Sequence, residues 1–391
     1  MTQPHVAPAV APHLVARSTP VDAPVDLCDL VIPSGFTWIT GHGEFVASGV
    51  AARVAPADAA GLLRSITHDL AADAPGDAGP RAVGALPFLG PGLLTVPARI
   101  VGRDANGQGW QTEIVGADVP APLRATTPAP RRFTVDAHID EPRWRTMVEH
   151  ALELIARGAL EKVVLARAVE VVADAAFAPA AVLRYLRASQ PGCVVYGDAG
   201  FVGASPELLV RKRGTHVLSR PLAGTGAGTD ALVHSSKDQR EHQLVVDAVV
   251  RALRGCCRAV EVDGPTPIQF ASVAHFATTV EARADATVDS VIDLVTALHP
   301  TPAVGGTPTG SALDAITMLE SGPRGRYAGP CGWVDAHGDG EFVVALRGGE
   351  LDGNRALLHA GAGIVAGSDP AAEWAETQAK LTPMLQALVR P

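Results

Sequence analysis

Two segments of the chain carry a helical hydrophobic period broken by acids, and most of the rest follows the shorter period of strands. In SDPAAEWAETQAKLTPML, near the C-terminus, Asp369 is placed to cap a helix and Pro370 to occupy its first position. At about 100° per residue, Trp374, Gln378, Leu381, Leu385 and Leu388 fall on one stripe that should face a core. Glu373, Glu376 and Lys380 fall together on a neighbouring face, and taken alone they read as a solvated charge pair. Residues 235–253 (SSKDQREHQLVVDAVVRAL) predict a second helix, with Ser235 as cap and a stripe of Leu244, Val245, Ala248, Val249 and Ala252. Glu241 projects into the centre of that stripe. An ionised carboxylate there is costly unless a cation or donor meets it. A hard divalent ion such as Mg²⁺, shared with Glu376, would meet that need.

Elsewhere the pattern is mostly that of strands. Residues 35–56 read as two strands about Gly41-His42-Gly43, and residues 93–116 as another pair around DANGQG. Residues 57–90 start as a short helix and end in a Gly/Pro/Asp loop, and residues 120–130 form a Pro/Ala/Thr connector too short to separate domains. After a helix over 141–157, residues 160–172 (LEKVVLARAVEVV) are apolar on both faces, as expected of a strand covered on each side. Lys162, near its start, is by default a solvated strand end. A helix at 179–189 and strands at 193–197, 201–204, 208–212 and 215–219 lead to the Gly-rich loop PLAGTGAGT, which could offer backbone N–H groups to an anion. Strands at 259–262 and 272–279 and a helix at 288–299 follow. The last ninety or so residues read as a loop, a hairpin-rich sheet and the closing helix.

Composition narrows the class. The chain has 391 residues, is 47% hydrophobic and has a net charge of −9, enough for a large core and unsuited to nucleic acid or an anionic membrane. Five cysteines without a CxxC suit a reducing cytoplasm. Residues 1–25 read as a flexible tail and 26–391 as one large domain or two or three average ones, with no stretch approaching a membrane span. No dinucleotide fingerprint, P-loop, HExxH or GxSxG occurs.

Nine motifs in order, KVVLARA, GASPELL, PLAGT, KDQREHQLVV, LHPTPAVGGTP, RGRYAGPCGW, GDGEFVVALR, AGAGIV and EWAETQAKL, resemble the chorismate-utilising enzyme family, and within it the isochorismate synthase branch. The match runs from about residue 130 to the end. The resemblance implies one catalytic domain over 26–391, an α+β fold of two large, mostly antiparallel sheets packed face to face, with helices outside and the site in a cleft at one edge. It implies Lys162 as general base and Glu207 as general acid, with Glu241 and Glu376 as Mg²⁺ ligands and Glu373 close by. It further implies Arg347, Lys380 and the backbone of Gly361, Ala362 and Gly363 as a clamp on two substrate carboxylates. His275, Ala303 and Tyr327, with Gly224 and Thr225 of PLAGT, match pocket positions.

Chemistry agrees with those roles. Chorismate is a dianion, so an acidic protein must supply local positive charge. Moving a hydroxyl around its ring takes one base and one acid, and burial must lower a lysine and raise a glutamate for them to serve. Ala303 stands where anthranilate, aminodeoxychorismate and salicylate synthases resemble one another in having Thr, which favours release of isochorismate over salicylate synthesis. Ala223 replaces the lysine of aminodeoxychorismate synthases, and no LLES element marks an anthranilate synthase. No glutaminase subunit is therefore expected, and the resemblance implies a monomer. A catalytically silent chorismate-binding relative is the remaining alternative. Two departures stand out: Gly226-Ala227-Gly228 lacks the family's usual Arg, and His359 replaces a Phe.

Overall fold

Short apolar runs bounded by Gly and Pro build two large sheets. The computed structural model describes residues 14–23, 26–120, 129–226, 228–270 and 273–390. One sheet has 13 strands and the other 10. Every pairing is antiparallel among the described residues except that of Val15–Pro20 with Thr67–Leu70. The sheets meet through a cluster in which Phe36, Trp38, Phe45 and Phe201 of the larger pack on Val83, Cys331, Trp333 and Val343 of the smaller. Helices cover the outer faces. Pro179–Ser189 and Pro370–Val389 set Leu183, Leu186, Leu381, Met384 and Leu388 on Val171, Val195 and Leu358 of the larger sheet. Ser236–Arg254 and Val291–Leu298 bury Val245, Val249, Leu253 and Val295 against the smaller. This is the α+β architecture that the motifs imply. None of the helices among the described residues is long and apolar enough to cross a membrane.

The long strand Lys162–Ala173 organises the site's floor. It runs antiparallel to Arg355–Val365, with Lys162 opposite Val365 and Ala166 opposite Gly361. The C-terminal helix lies over this pair, and its buried stripe is Glu373, Thr377, Leu381, Met384 and Leu388: it keeps the predicted Leu381 and Leu388 but leaves Trp374 and Leu385 half-buried and Gln378 exposed. Arg167 accounts for the rotation. It is 2% exposed, donates to Thr377 at 2.8 Å and stacks 3.9 Å from the Trp374 ring centroid. A buried guanidinium needs such partners, and it draws the polar side of the helix inward.

Several expectations are corrected. Val15–Pro20 is a strand paired with Gly109–Ile114, and Ala16 and Ser18 are fully buried, so the folded part starts ahead of residue 26. Residues 1–13 and 24–25 of the predicted tail lie outside the described residues, as do 121–128 of the connector. Arg81–Ala85, read as loop, is a strand buried at every position, and burial on both faces removes the alternation that marks a strand. Leu222–Gly226, also read as loop, pairs with Ala274–Ala284. Thr309–Leu319 is an unforeseen helix seated by Ala312, Ala315, Ile316 and Leu319, a stripe too small in its side chains to stand out.

Candidate active site

A cleft of about 650 Å³, measured out to its mouth, opens beside the Lys162–Ala173 and Arg355–Val365 strands. Glu207, Gly224, Thr225, Glu241, His275, Ala303, Tyr327, Arg347, Gly361, Gly363 and Lys380 all line it. Lys162 stands directly behind Glu241. Ala362 does not line the cleft: strand alternation turns it into the core.

Lys162 is fully buried and not a solvated strand end. Its Nζ lies 2.9 Å from Glu241 Oε1, a buried ion pair, and it has no further hydrogen-bond partner among the described residues. Glycine at 363 makes the pair possible, since a Cβ there would sit 2.1 Å from Glu241 Oε1 and 3.1 Å from Lys162 Cε. Burial works against the charge of Glu241, but Lys162, Lys380 and Lys237 together hold its carboxyl below the usual range.

Glu207 sits where the chain crosses from the Phe201–Ser205 strand of the larger sheet to Leu208–Arg213 of the smaller. It is 3% exposed. Burial pushes its carboxyl up to about 8, against the pull of Lys162, the Leu222 backbone N–H and Lys380. At neutral pH it therefore holds a proton that it can give away.

The cations face the same space. Arg347 adopts φ 51, a conformation uncommon for residues with side chains, and is 7% exposed. Burial lowers its pKa, and among the described residues it pairs with no carboxylate, its side-chain hydrogen bond being Nη2 to His275 Nε2 at 2.9 Å. Arginine only donates, so His275 Nε2 is the acceptor and its Nδ1–H donates to the Gly224 carbonyl at 2.9 Å. Burial, then Arg347, keeps that imidazole neutral. Gly224 holds φ 70, and a Cβ there would meet Asp238, so glycine is required. Lys380 Nζ donates to Glu376 at 2.6 Å and to the Gly361 carbonyl at 3.1 Å. Burial opposes its charge and Glu376 restores it, leaving its pKa above the usual range.

The three expected metal ligands are brought to one region but not onto one point. Among the described residues no three His, Cys, Asp or Glu side chains are spaced as a ready-made metal centre. Glu241 instead meets Lys162, Glu376 meets Lys380, and Glu373 meets Lys237 at 2.5 Å. Burial and the charge of Glu376 push the Glu373 carboxyl up to about 7. An all-oxygen donor set with such mutual repulsion suits a hard divalent cation.

Sequence reasoning missed Lys237 and Asp238, whose signal was there in the spacing: Lys237 precedes Glu241 by four residues and Asp238 by three, so all share a helix face. It also missed the apolar wall of Val164, Leu222, Val304 and Leu346. His359, singled out as a departure, stacks on Tyr327 at 5.2 Å between ring centroids and 16° between planes. Burial lowers its pKa to about 4, so it acts as an aromatic wall and has no titration near neutral pH.

Two face-to-face sheets with an edge cleft holding a buried acid, a buried amine and a guanidinium paired with no carboxylate among the described residues define a class of enzyme acting on small anions. Residues 113–389 match the family described as chorismate binding enzyme, and the chain belongs to that family of enzymes. Among curated relatives, the chain is 35% identical over 335 residues to isochorismate synthase EntC of Escherichia coli (strain K12), covering 80% of this chain and 82% of the relative. It is 32% identical over 385 residues to isochorismate synthase DhbC of Bacillus subtilis (strain 168), covering 91% and 94%. Among solved structures it resembles MenF, the menaquinone-specific isochorismate synthase from Escherichia coli, with TM-score 0.83 and 26% identity over 96% of this chain and 95% of that one.

Proposed function

We propose that this enzyme is an isochorismate synthase, adding water at C2 of the chorismate ring while the C4 hydroxyl leaves. The observation that carries the reading is the presence, in one region, of a carboxylic acid that keeps its proton up to about pH 8 and a fully buried amine whose one close carboxylate among the described residues is Glu241. One water enters and one leaves, so the step needs a proton removed from the attacking water and another delivered to the departing hydroxyl. Lys162 takes the first and Glu207 gives the second.

The unpaired Arg347 guanidinium and the Lys380 ammonium bind the substrate's carboxylates, assisted by the backbone around Gly361 and Gly363. His275 fixes the guanidinium by accepting one of its N–H groups. The apolar wall of Val304, Leu346 and Tyr327 excludes water from the ring's far side, which strengthens every charged contact within. Ala303 brings no hydroxyl at its own place on the cleft wall, the feature that favours release of isochorismate. Glu241 and Glu376, with Glu373 beside them, would hold Mg²⁺. Bound there, the ion would supply positive charge against a substrate carboxylate and would take over Glu241 from Lys162.

Chromatographic analysis of products after incubation with chorismate and Mg²⁺ tests this reading. Isochorismate is the expected product. Salicylate formed without an added lyase would instead assign the chain to salicylate synthesis, and tight chorismate binding without turnover would make it a silent relative.

A further inference from the structure

The three lysines that meet the carboxylates beside the cleft differ in what they can do. Lys162 is fully buried, and Lys380 is tied both to Glu376 and to the Gly361 carbonyl. Lys237 has no part in the chemistry above. It reaches from the first turn of the Ser236–Arg254 helix to Glu373 on the C-terminal helix, and its side chain is 31% exposed against 0% for Lys162 and 20% for Lys380. Glu373, at 1% exposure, is the most buried acid of the set. Asp238 and Glu241 also face Lys237.

We propose that Lys237 is a displaceable counter-ion: in the metal-free protein it neutralises the carboxylates at the junction of these two helices, and its departure sets their affinity for a divalent cation. The inference rests on the magnesium reading above. Lys162, Lys237 and Lys380 stand beside Asp238, Glu241, Glu373 and Glu376, and Arg347 also acts on Glu376. A divalent cation entering among the carboxylates is repelled by each ammonium that stays, in a region of low dielectric, so withdrawal of one lysine favours its entry. Lys237 is the one able to withdraw, because its flexible stem already borders solvent.

Calorimetric titration of metal-free protein with MgCl₂, together with Mn²⁺ binding followed by electron paramagnetic resonance, compares the wild type with Lys237→Met and Lys237→Arg. Lys237→Met is expected to bind Mg²⁺ about tenfold more tightly or better, because a competing charge is gone. Its Mg²⁺-induced rise in Tm is expected to exceed that of the wild type, since Glu373 without metal is left buried with no cation paired to it. Lys237→Arg keeps the charge and is expected to stay within about threefold of the wild type. If Lys237→Met folds only with metal present, release of the metal into a chelator is timed instead, and slower release than in the wild type supports the proposal. Equal or weaker affinity in Lys237→Met, or release as fast as in the wild type, overturns the role of Lys237 alone. No uptake of Mg²⁺ or Mn²⁺ by the wild type overturns the magnesium reading itself.

Discussion

Lys162→Ala is expected to lose turnover by about a thousandfold or more while still binding chorismate, because the residue handles a proton and does not hold the substrate's carboxylates. Arg347 and Lys380 do that work from elsewhere in the cleft, so calorimetric binding of chorismate should survive. The variant should also be less stable when free of metal. Lys162 is fully buried against Glu241, and removing one partner of a buried pair costs about 3–5 kcal/mol. Mg²⁺ should recover part of that loss by giving Glu241 a cation again. Turnover within a few-fold of the wild type would remove Lys162 from the mechanism.

Glu207→Gln carries the other large effect. Loss of a positioned acid is expected to lower kcat by about 10²- to 10⁴-fold. In the wild type, kcat should fall as pH rises through about 8, where the carboxyl gives up its proton. The same shift has a consequence for folding. The group's folded value of about 8 lies above its ordinary 4.5, so between these values the native state retains a proton that the unfolded chain has released. That contribution is fully present below pH 4.5 and is lost as pH rises through about 8. Glutamine never ionises, so Glu207→Gln should melt above the wild type at pH 9 and close to it at pH 5. A Tm difference independent of pH would contradict the raised value.

The helices that carry the acids were legible because their signals are local. Asp369 and Ser235 cap them as the sequence suggests, accepting from Ala372 N and Asp238 N. Glu241 is buried within its stripe as its position predicts. What the sequence hid depends on contacts made far along the chain. The C-terminal helix is turned by Arg167, a residue some 200 positions away, so Glu373 enters the buried stripe and not the exposed side face. The strand at Arg81–Ala85 lost its alternation because both of its faces are covered. Lys162 looks like a strand end in sequence and becomes an interior group only because Gly363 admits Glu241 beside it. The family motifs named the cleft's residues and the i,i+4 spacing already showed Lys380 beside Glu376, whereas the pairing of Lys237 with Glu373 required the two helices to be set side by side.

The central claim, that water attacks C2 while the ring's own hydroxyl departs, is tested most directly by running the reaction in ¹⁸O-labelled water and analysing the isochorismate by mass spectrometry. The account predicts one labelled oxygen per product molecule, located at C2. Unlabelled isochorismate would mean that the original hydroxyl migrates without leaving, and it would contradict the roles given to Lys162 and Glu207.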